Sequence, residues 1–316
     1  MTTPRHIAAV DLGGSLVRTA IADEGGDLLA RRAEPVDPKA PPEKVVQGIL
    51  ESIESLLTEV GGRGPPLALG IGVPGLVIPD EGKVIAPVNL PAWQTISLVE
   101  LVRRRWPVPV AVENDANMAA LGEGWRGVAR GMKTFVFVAL GTGVGAGVIV
   151  DGRLQRGARG FGGEVCYSCL GREHLEVDYA PAGCLERLVG GPAIARRGSE
   201  ALGRAVSSEE VFELARQGDA AARRVVRETA EYLAVALTNM AALLDPEAIV
   251  VGGGIAQQGE LLLAPVRELV HRQMPTKVPI LASALGEDAQ LYGAVRSALD
   301  LLYSGATEAK PSEGER

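Results

Sequence analysis

A fifteen-residue segment occurs twice in this chain. VDLGGSLVRTAIADE at residues 10–24 and VALGTGVGAGVIVDG at residues 138–152 superpose at a constant offset of 128 residues, pairing Val10 with Val138, Leu12 with Leu140, Gly13 with Gly141, Ile21 with Ile149 and Asp23 with Asp151. Each copy is an apolar run, a glycine turn and a second apolar run, the signature of two strands joined tightly. A chain that opens each half with the same unit is expected to fold as two related domains. Its 316 residues suit two cores of roughly 100 to 200 residues each.

Between and after the repeats, strand and helix signals alternate, which is the α/β pattern. Residues 41–60 place Val46, Ile49, Leu50, Ile53, Leu56 and Leu57 at helical spacing. LALGIGVPG and VPVAVE read as buried strands, with a helix near 96–105 between them. In the second half a glycine-rich loop at 157–163 precedes a helix near 184–196, a capping box of Ser207 and Glu210, and a long helix over 220–243. AIVVGGGIA has the form of strand, glycine turn and helix start, and EDAQLYGAVRSALDLL is helical.

A net charge of −7 and a pI near 5.2 argue against a nucleic-acid surface, which needs a basic face to neutralise phosphates. The apolar run near the start is interrupted at Asp11, so no secretory signal or membrane span is expected there. A cytoplasmic protein without membrane partners follows as the expectation. Three cysteines then suggest reduced thiols or a metal site rather than a disulfide framework.

The chemistry is concentrated in short polar stretches at strand ends. DLGGS (11–15), GTGVG (141–145) and GGG (252–254) follow apolar runs directly. Glycine removes the Cβ that would keep backbone N–H groups away from an anion. Each alone reads as a tight turn; three in comparable positions point to one polyanionic ligand. No Gly-x-x-x-x-Gly-Lys sequence is present, which disfavours a P-loop enzyme. GTGVGA matches the loose dinucleotide fingerprint but continues into strand rather than opening a helix. Asp11, beside Gly13 and Gly14, suits either a magnesium-linked phosphate or stabilisation of its own turn. At VENDAN (112–117), Asn114 and Asp115 stand where a strand hands over to a helix. Either residue can cap that helix, and a carboxylate at a strand end can also take a proton.

DLGGS with Arg18, GIGVPG, VNLPAW, VENDAN, LGTGVGAG, GFGGE, AGCLE and IVVGGG occur in the order found in the ROK family (repressor, open reading frame, kinase), which the chain resembles from Ile7 to about Leu301. The resemblance implies two actin-like (ribonuclease H-like) α/β domains around a cleft. It sets the expected boundaries at 1–116 for a smaller N-terminal domain, 117–295 for a larger one, 296–304 for a C-terminal helix packing back on the first, and 305–316 for a disordered tail. It implies ATP, Mg²⁺ and phosphoryl transfer to a sugar hydroxyl, the glucose 6-hydroxyl first, and a homodimer. Asp115 takes the place of the catalytic base. Gly75, Asn89, Asn114, Glu164, Tyr167 and Glu186 fall at sugar-binding positions. Asp11, Gly13, Gly14 and Ser15 match the first phosphate loop, Gly141, Thr142 and Gly143 the second, and Gly252, Gly253 and Gly254 the loop near the adenosine.

The chain departs from that pattern in two places. Many relatives hold a structural zinc with one His and three Cys. Here Tyr167 stands at the His, Val177 and Tyr179 at two of the cysteines, and Cys184 alone is kept. No structural zinc is therefore expected, since Val cannot bind it and a phenol rarely does. The alternative set is Cys166, Cys169, His174 and Cys184, but Cys166 and Tyr167 are expected to extend a strand, which would point Cys166 and Cys169 apart. Tyr167 can still donate or accept one hydrogen bond, so N-acetylmannosamine, N-acetylglucosamine or another hexose stands beside glucose as an expected substrate. The second departure is Leu16, where Lys or Asn is common; Arg18 either supplies the missing charge or is a surface residue. A reading of another class is a sugar sensor without catalysis. A DNA-binding repressor is disfavoured by the ten residues that precede Asp11 and by the acidic charge, and polyphosphate is an alternative donor.

Overall fold

The structure, a computed structural model, describes residues 5–85 and 90–307. It divides into two compact units, one formed by the chain up to Gly122 and from Asp288 onward, the other by Glu123–Glu287. Each has its own hydrophobic core.

The first unit begins with β1 (Ile7–Leu12), β2 (Leu16–Ala22) and β3 (Leu28–Pro35), followed by α1 (Pro42–Glu59) and β4 (Ala68–Val73). A small sheet of β5 (Leu76–Ile78), β6 (Lys83–Ile85) and β7 (Ile96–Ser97) leads into α2 (Leu98–Arg103), β8 (Val110–Asn114) and α3 (Asp115–Arg126). The main sheet runs β3-β2-β1-β4-β8. β1 pairs antiparallel with β2 and parallel with β4, which is parallel to β8. Alternation sorts these strands between two faces. Val10, Leu12, Leu69, Ile71 and Val73 join the core that α1 closes with Val46, Ile49, Leu50, Ile53, Leu56 and Leu57. Gly70 and Gly72 point the other way.

The second unit contains β9 (Phe135–Leu140), β10 (Val144–Val150), β11 (Arg153–Leu154), α4 (Cys184–Val189), α5 (Gly191–Leu202), α6 (Ser208–Gln217), α7 (Ala220–Leu244), β12 (Ala248–Gly252), α8 (Glu260–Gln273) and β13 (Ile280–Ala282). Its sheet runs β11-β10-β9-β12-β13, with β9 antiparallel to β10 and parallel to β12, and β12 parallel to β13. This is the strand order of the first sheet. β9 and β10 start and end 128 residues after β1 and β2, so the repeated segment is one hairpin made twice.

Three expectations need correction. The chain divides inside α3, after Gly122, rather than at 116. Helix α9 (Ala289–Thr307) starts well before residue 296 and belongs wholly to the first unit, packing on β1, β4 and β8; residues 305–307 continue it, and 308–316 lie outside the described residues. The single helix expected over 184–196 is two, because Gly190 adopts an extended ψ of 159° between α4 and α5.

Glycines let α9 and α3 meet backbone to backbone. A Cβ on Gly293 would lie 1.7 Å from the Met118 carbonyl oxygen, one on Gly122 2.1 Å from that of Ala289, and one on Gly70 2.0 Å from that of Ala294. No rotamer change relieves such contacts, since the obstacle is main chain. Gly293→Ala is expected to destabilise the protein by about 3 kcal/mol or more. Gly48→Ala, on the exposed side of α1 with nothing within 4 Å, should stabilise it by about 0.5–1 kcal/mol. Urea denaturation of both variants checks the pair.

Candidate functional site

In the first unit the parallel strands β1, β4 and β8 all end on the same edge of the sheet, where ligands of open α/β sheets bind. β1 ends in Asp11 and Leu12, and its turn to β2 is closed by Gly13 N–H donating to the Leu16 carbonyl at 2.8 Å. A side chain on Gly13 would meet that same oxygen at 2.9 Å. Gly14 is half-buried and Ser15 exposed. Asp11 is 5% exposed and accepts from Arg18 Nη1 at 3.1 Å. Arg18 lies directly across β2 from it, so it is a partner of the acid at the turn rather than a loose surface charge.

Two strands away, Asn114 joins three pieces of chain. Its Oδ1 accepts from the N–H groups of Ala116 and Asn117 at 2.9 and 3.2 Å, which is helix capping. Its Nδ2 donates to the Gly75 carbonyl at 3.1 Å. Gly75 needs to be glycine because its φ is +89°. With the cap supplied by Asn114, Asp115 is left to open α3, its Oδ1 accepting from Ala116 N–H at 2.8 Å. Glu113, buried behind them, accepts from Asn114 N–H and Asn117 Nδ2 at 2.9 and 3.0 Å and fixes the handover from inside. The sequence reading passed over Glu113 and Asn117; their place in the run Glu-Asn-Asp-Ala-Asn was the available signal. Asn89 lies outside the described residues.

The second unit places its glycine turns at the equivalent strand ends. Gly141 N–H donates to the Gly143 carbonyl at 3.0 Å, and Thr142 and Gly143 are exposed. The third glycine run folds against this turn. Ile255 N–H donates to the Leu140 carbonyl at 3.0 Å, and a Cβ on Gly253 would lie 2.6 Å from that oxygen. Gly252 is buried in β12 against Phe137, and Gly254 is exposed. A fourth pair, Gly190 and Gly191, went unnoticed in the sequence although VGGP had the same look. Gly191 N–H donates to the Gly141 carbonyl at 2.9 Å, bringing the start of α5 to the loop. A side chain on Gly190 would meet the Glu186 carbonyl at 2.8 Å and the Thr142 carbonyl at 3.0 Å, so the loop and the helix end close on this position.

Glu186, on α4, accepts from Val144 N–H at 2.9 Å and so touches the same loop. Glu164 precedes a 3₁₀ turn over Val165–Tyr167, where a continuing strand was expected; Val165 N–H bonds back to the Gly163 carbonyl at 2.7 Å and turns the chain. Burial pushes the carboxyls of Glu164 and Glu186 above their ordinary value. The Cys166 thiol between them is pushed up to about 12, by burial first and then by the two carboxylates. Tyr167 donates from its hydroxyl to the Pro181 carbonyl at 3.1 Å, and burial and these neighbours raise its phenol.

These side chains do not fit a structural zinc. Cys166 Sγ donates to Glu164 Oε2 at 3.7 Å. Cys169 Sγ donates to the Gly171 carbonyl, and His174 Nδ1 pairs with the Tyr179 hydroxyl at 2.6 Å. Among the described residues no three His, Cys, Asp or Glu side chains form a group able to hold a metal ion.

The arrangement defines a class: two α/β units of the actin-like type, each carrying an open glycine turn at the ends of its parallel strands. The chain belongs to the ROK family, whose model matches residues 7–300. It is 32% identical over 306 residues to a glucokinase of Thermotoga maritima, spanning 91% of this chain and 95% of that one. The crystal structure of a ROK hexokinase from Thermus thermophilus shares 31% identity at a TM-score of 0.80, covering 96% of this chain and 100% of its own. A ROK family glucokinase from Streptomyces griseus, solved with glucose and AMPPNP, shares 31% identity at a TM-score of 0.76, with 93% and 99% covered.

Two predictions follow from this geometry. Carboxyls whose folded pKa is raised hold their protons longer in the folded state, so their effect on stability is unfavourable above the unfolded value of 4.5. Glu164→Gln should therefore gain a few degrees in melting temperature over the wild type as pH rises from 4.5 towards neutrality, and lose that advantage below it; thermal melts across the range decide. Chelator-treated protein should melt at one temperature with and without added zinc, and a zinc-dependent rise would restore the metal.

Proposed function

We propose that the protein is an ATP-dependent hexose kinase that transfers the γ-phosphoryl group to a sugar hydroxyl, the glucose 6-hydroxyl being the expected acceptor, with Asp115 as the general base. The observation that carries this reading is the handover at VENDAN. Asn114 does the capping and grips Gly75, which leaves the adjacent carboxylate oriented at the strand ends where a substrate would lie. The kinase relatives, aligned over nearly their full lengths, support it.

Phosphoryl transfer passes through a loose transition state, so the protein mainly positions groups and stabilises spreading charge. The sugar hydroxyl becomes acidic only as its oxygen bonds to phosphorus, and Asp115 then accepts its proton. Glu164 and Glu186 accept hydrogen bonds from other sugar hydroxyls, and the remaining N–H of the Asn114 amide donates one. Backbone N–H groups of Gly14 and Ser15 in the first turn and of Thr142 and Gly143 in the second hold phosphate oxygens, while the Gly13 and Gly141 N–H groups close the turns themselves. Asp11, a buried carboxylate beside the first turn, has the oxygen donor that Mg²⁺ prefers and would hold such an ion, which when bound would supply neutralisation of phosphate charge. Arg18 holds that carboxylate in place.

Asp115→Asn should keep the fold and sugar binding while losing about 10²-fold or more in turnover, measured as ADP release with Mg²⁺ and ATP over glucose, mannose, N-acetylglucosamine and N-acetylmannosamine. An unchanged rate would remove Asp115 from the mechanism. Sugar binding without ADP release in the wild type would instead favour a sensor or another phosphoryl donor.

A further inference from the structure

Phenylalanine belongs in cores, and three of the four here are there: Phe135, Phe137 and Phe212 are at most 2% exposed. Phe161 is 56% exposed, and Tyr167 beside it 52%. Their ring centroids lie 6.4 Å apart at 43°, within the range of a tilted aromatic pair. The loop that presents them is held by its backbone. Gly162 N–H donates to the Arg156 carbonyl at 2.8 Å, and Glu164 N–H to the Phe161 carbonyl at 3.2 Å. A side chain at Gly162 would strike the Gln155 carbonyl at 2.4 Å, so the turn tolerates glycine alone. Phe161 is therefore displayed by a built turn whose next polar side chain is Glu164.

The Tyr167 hydroxyl has a single proton to donate, and Pro181 takes it. That hydroxyl oxygen can still accept, and the largest surface Tyr167 offers a ligand is its ring. A sugar presents hydroxyls at its edge and C–H groups on its faces and substituents, so carboxylates beside aromatic rings suit a sugar that carries apolar bulk. We propose that Phe161 and Tyr167 form a subsite for an apolar substituent on the sugar, an N-acyl, O-alkyl or O-aryl group, alongside Glu164 and Glu186. This inference rests on the sugar-kinase reading and narrows its substrate class.

Calorimetric binding to the full chain tests it, with glucose, N-acetylglucosamine, N-acetylmannosamine, methyl glucoside and phenyl glucoside as probes. The N-acetyl and glucoside arms distinguish the two positions of the substituent. The tightest ligand should carry a substituent and bind about tenfold better than glucose. Phe161→Ala should cut that ratio about fivefold. Tyr167→Ala should do the same, and Tyr167→Phe, which keeps the ring, should retain most of the ratio. Thermal melts verify that each variant is folded. Glucose binding as tightly as every substituted sugar, or a ratio untouched by Phe161→Ala, overturns the subsite and leaves the kinase reading standing. Failure of every sugar to bind brings down both.

Discussion

The hydrogen bonds of Asn114 are the constraint on which the candidate site depends. One side-chain amide caps α3 and holds the Gly75 carbonyl, and its residue is the last paired one of β8. Capping is worth about 1 kcal/mol in its own right, yet its larger consequence is to fix where Asp115 begins the helix. Glu113 secures the same junction from the buried side. Behind the helix, the contacts at Gly122 and Gly293 admit α9 so closely that α3 has little room to slide. Local hydrogen bonds and close packing thus act on one short segment from both ends.

Duplication supplied the scaffold and divergence divided the work. The two hairpins keep their strand boundaries and their place in the sheet, but Asp11 in the first corresponds, at the same offset, to Ala139 in the second. Only the first turn therefore carries a carboxylate, with Arg18 opposite. The second turn has no acid of its own and is met from elsewhere in the chain: the N–H groups of Gly191 and Ile255 donate to its margins and the Glu186 carboxylate accepts from Val144 N–H. The same hairpin thus carries different polar groups in its two copies.

The segment from 164 to 186 is tied together by contacts of its own side chains. The His174–Tyr179 hydrogen bond, the edge contact of His174 with Tyr232 on α7, and the Tyr167–Pro181 hydrogen bond tie it together. Arg197 on α5 donates to Leu188 on α4 and Thr229 on α7, bracing the helix that bears Glu186.

Much of this was legible in the residues. The repeat announced two related sheets, helical spacing located α1 and α7, and the polar stretches at strand ends marked Asp11, Gly75, Asn114 and Asp115, because periodicity and strand-end chemistry are local properties. What the chain order could not convey were relations between distant segments. The sequence left open whether Asn114 or Asp115 caps α3, and tertiary structure assigned that task to Asn114 by giving its amide a partner on the Gly75 turn. It broke the helix at Gly190, whose extended backbone lets the Gly191 N–H turn to the Gly141 carbonyl. It turned Cys166 out of a strand and committed the Tyr167 hydroxyl to Pro181. Each of these outcomes depends on an atom far away in sequence, and close packing rather than local preference decides such contacts.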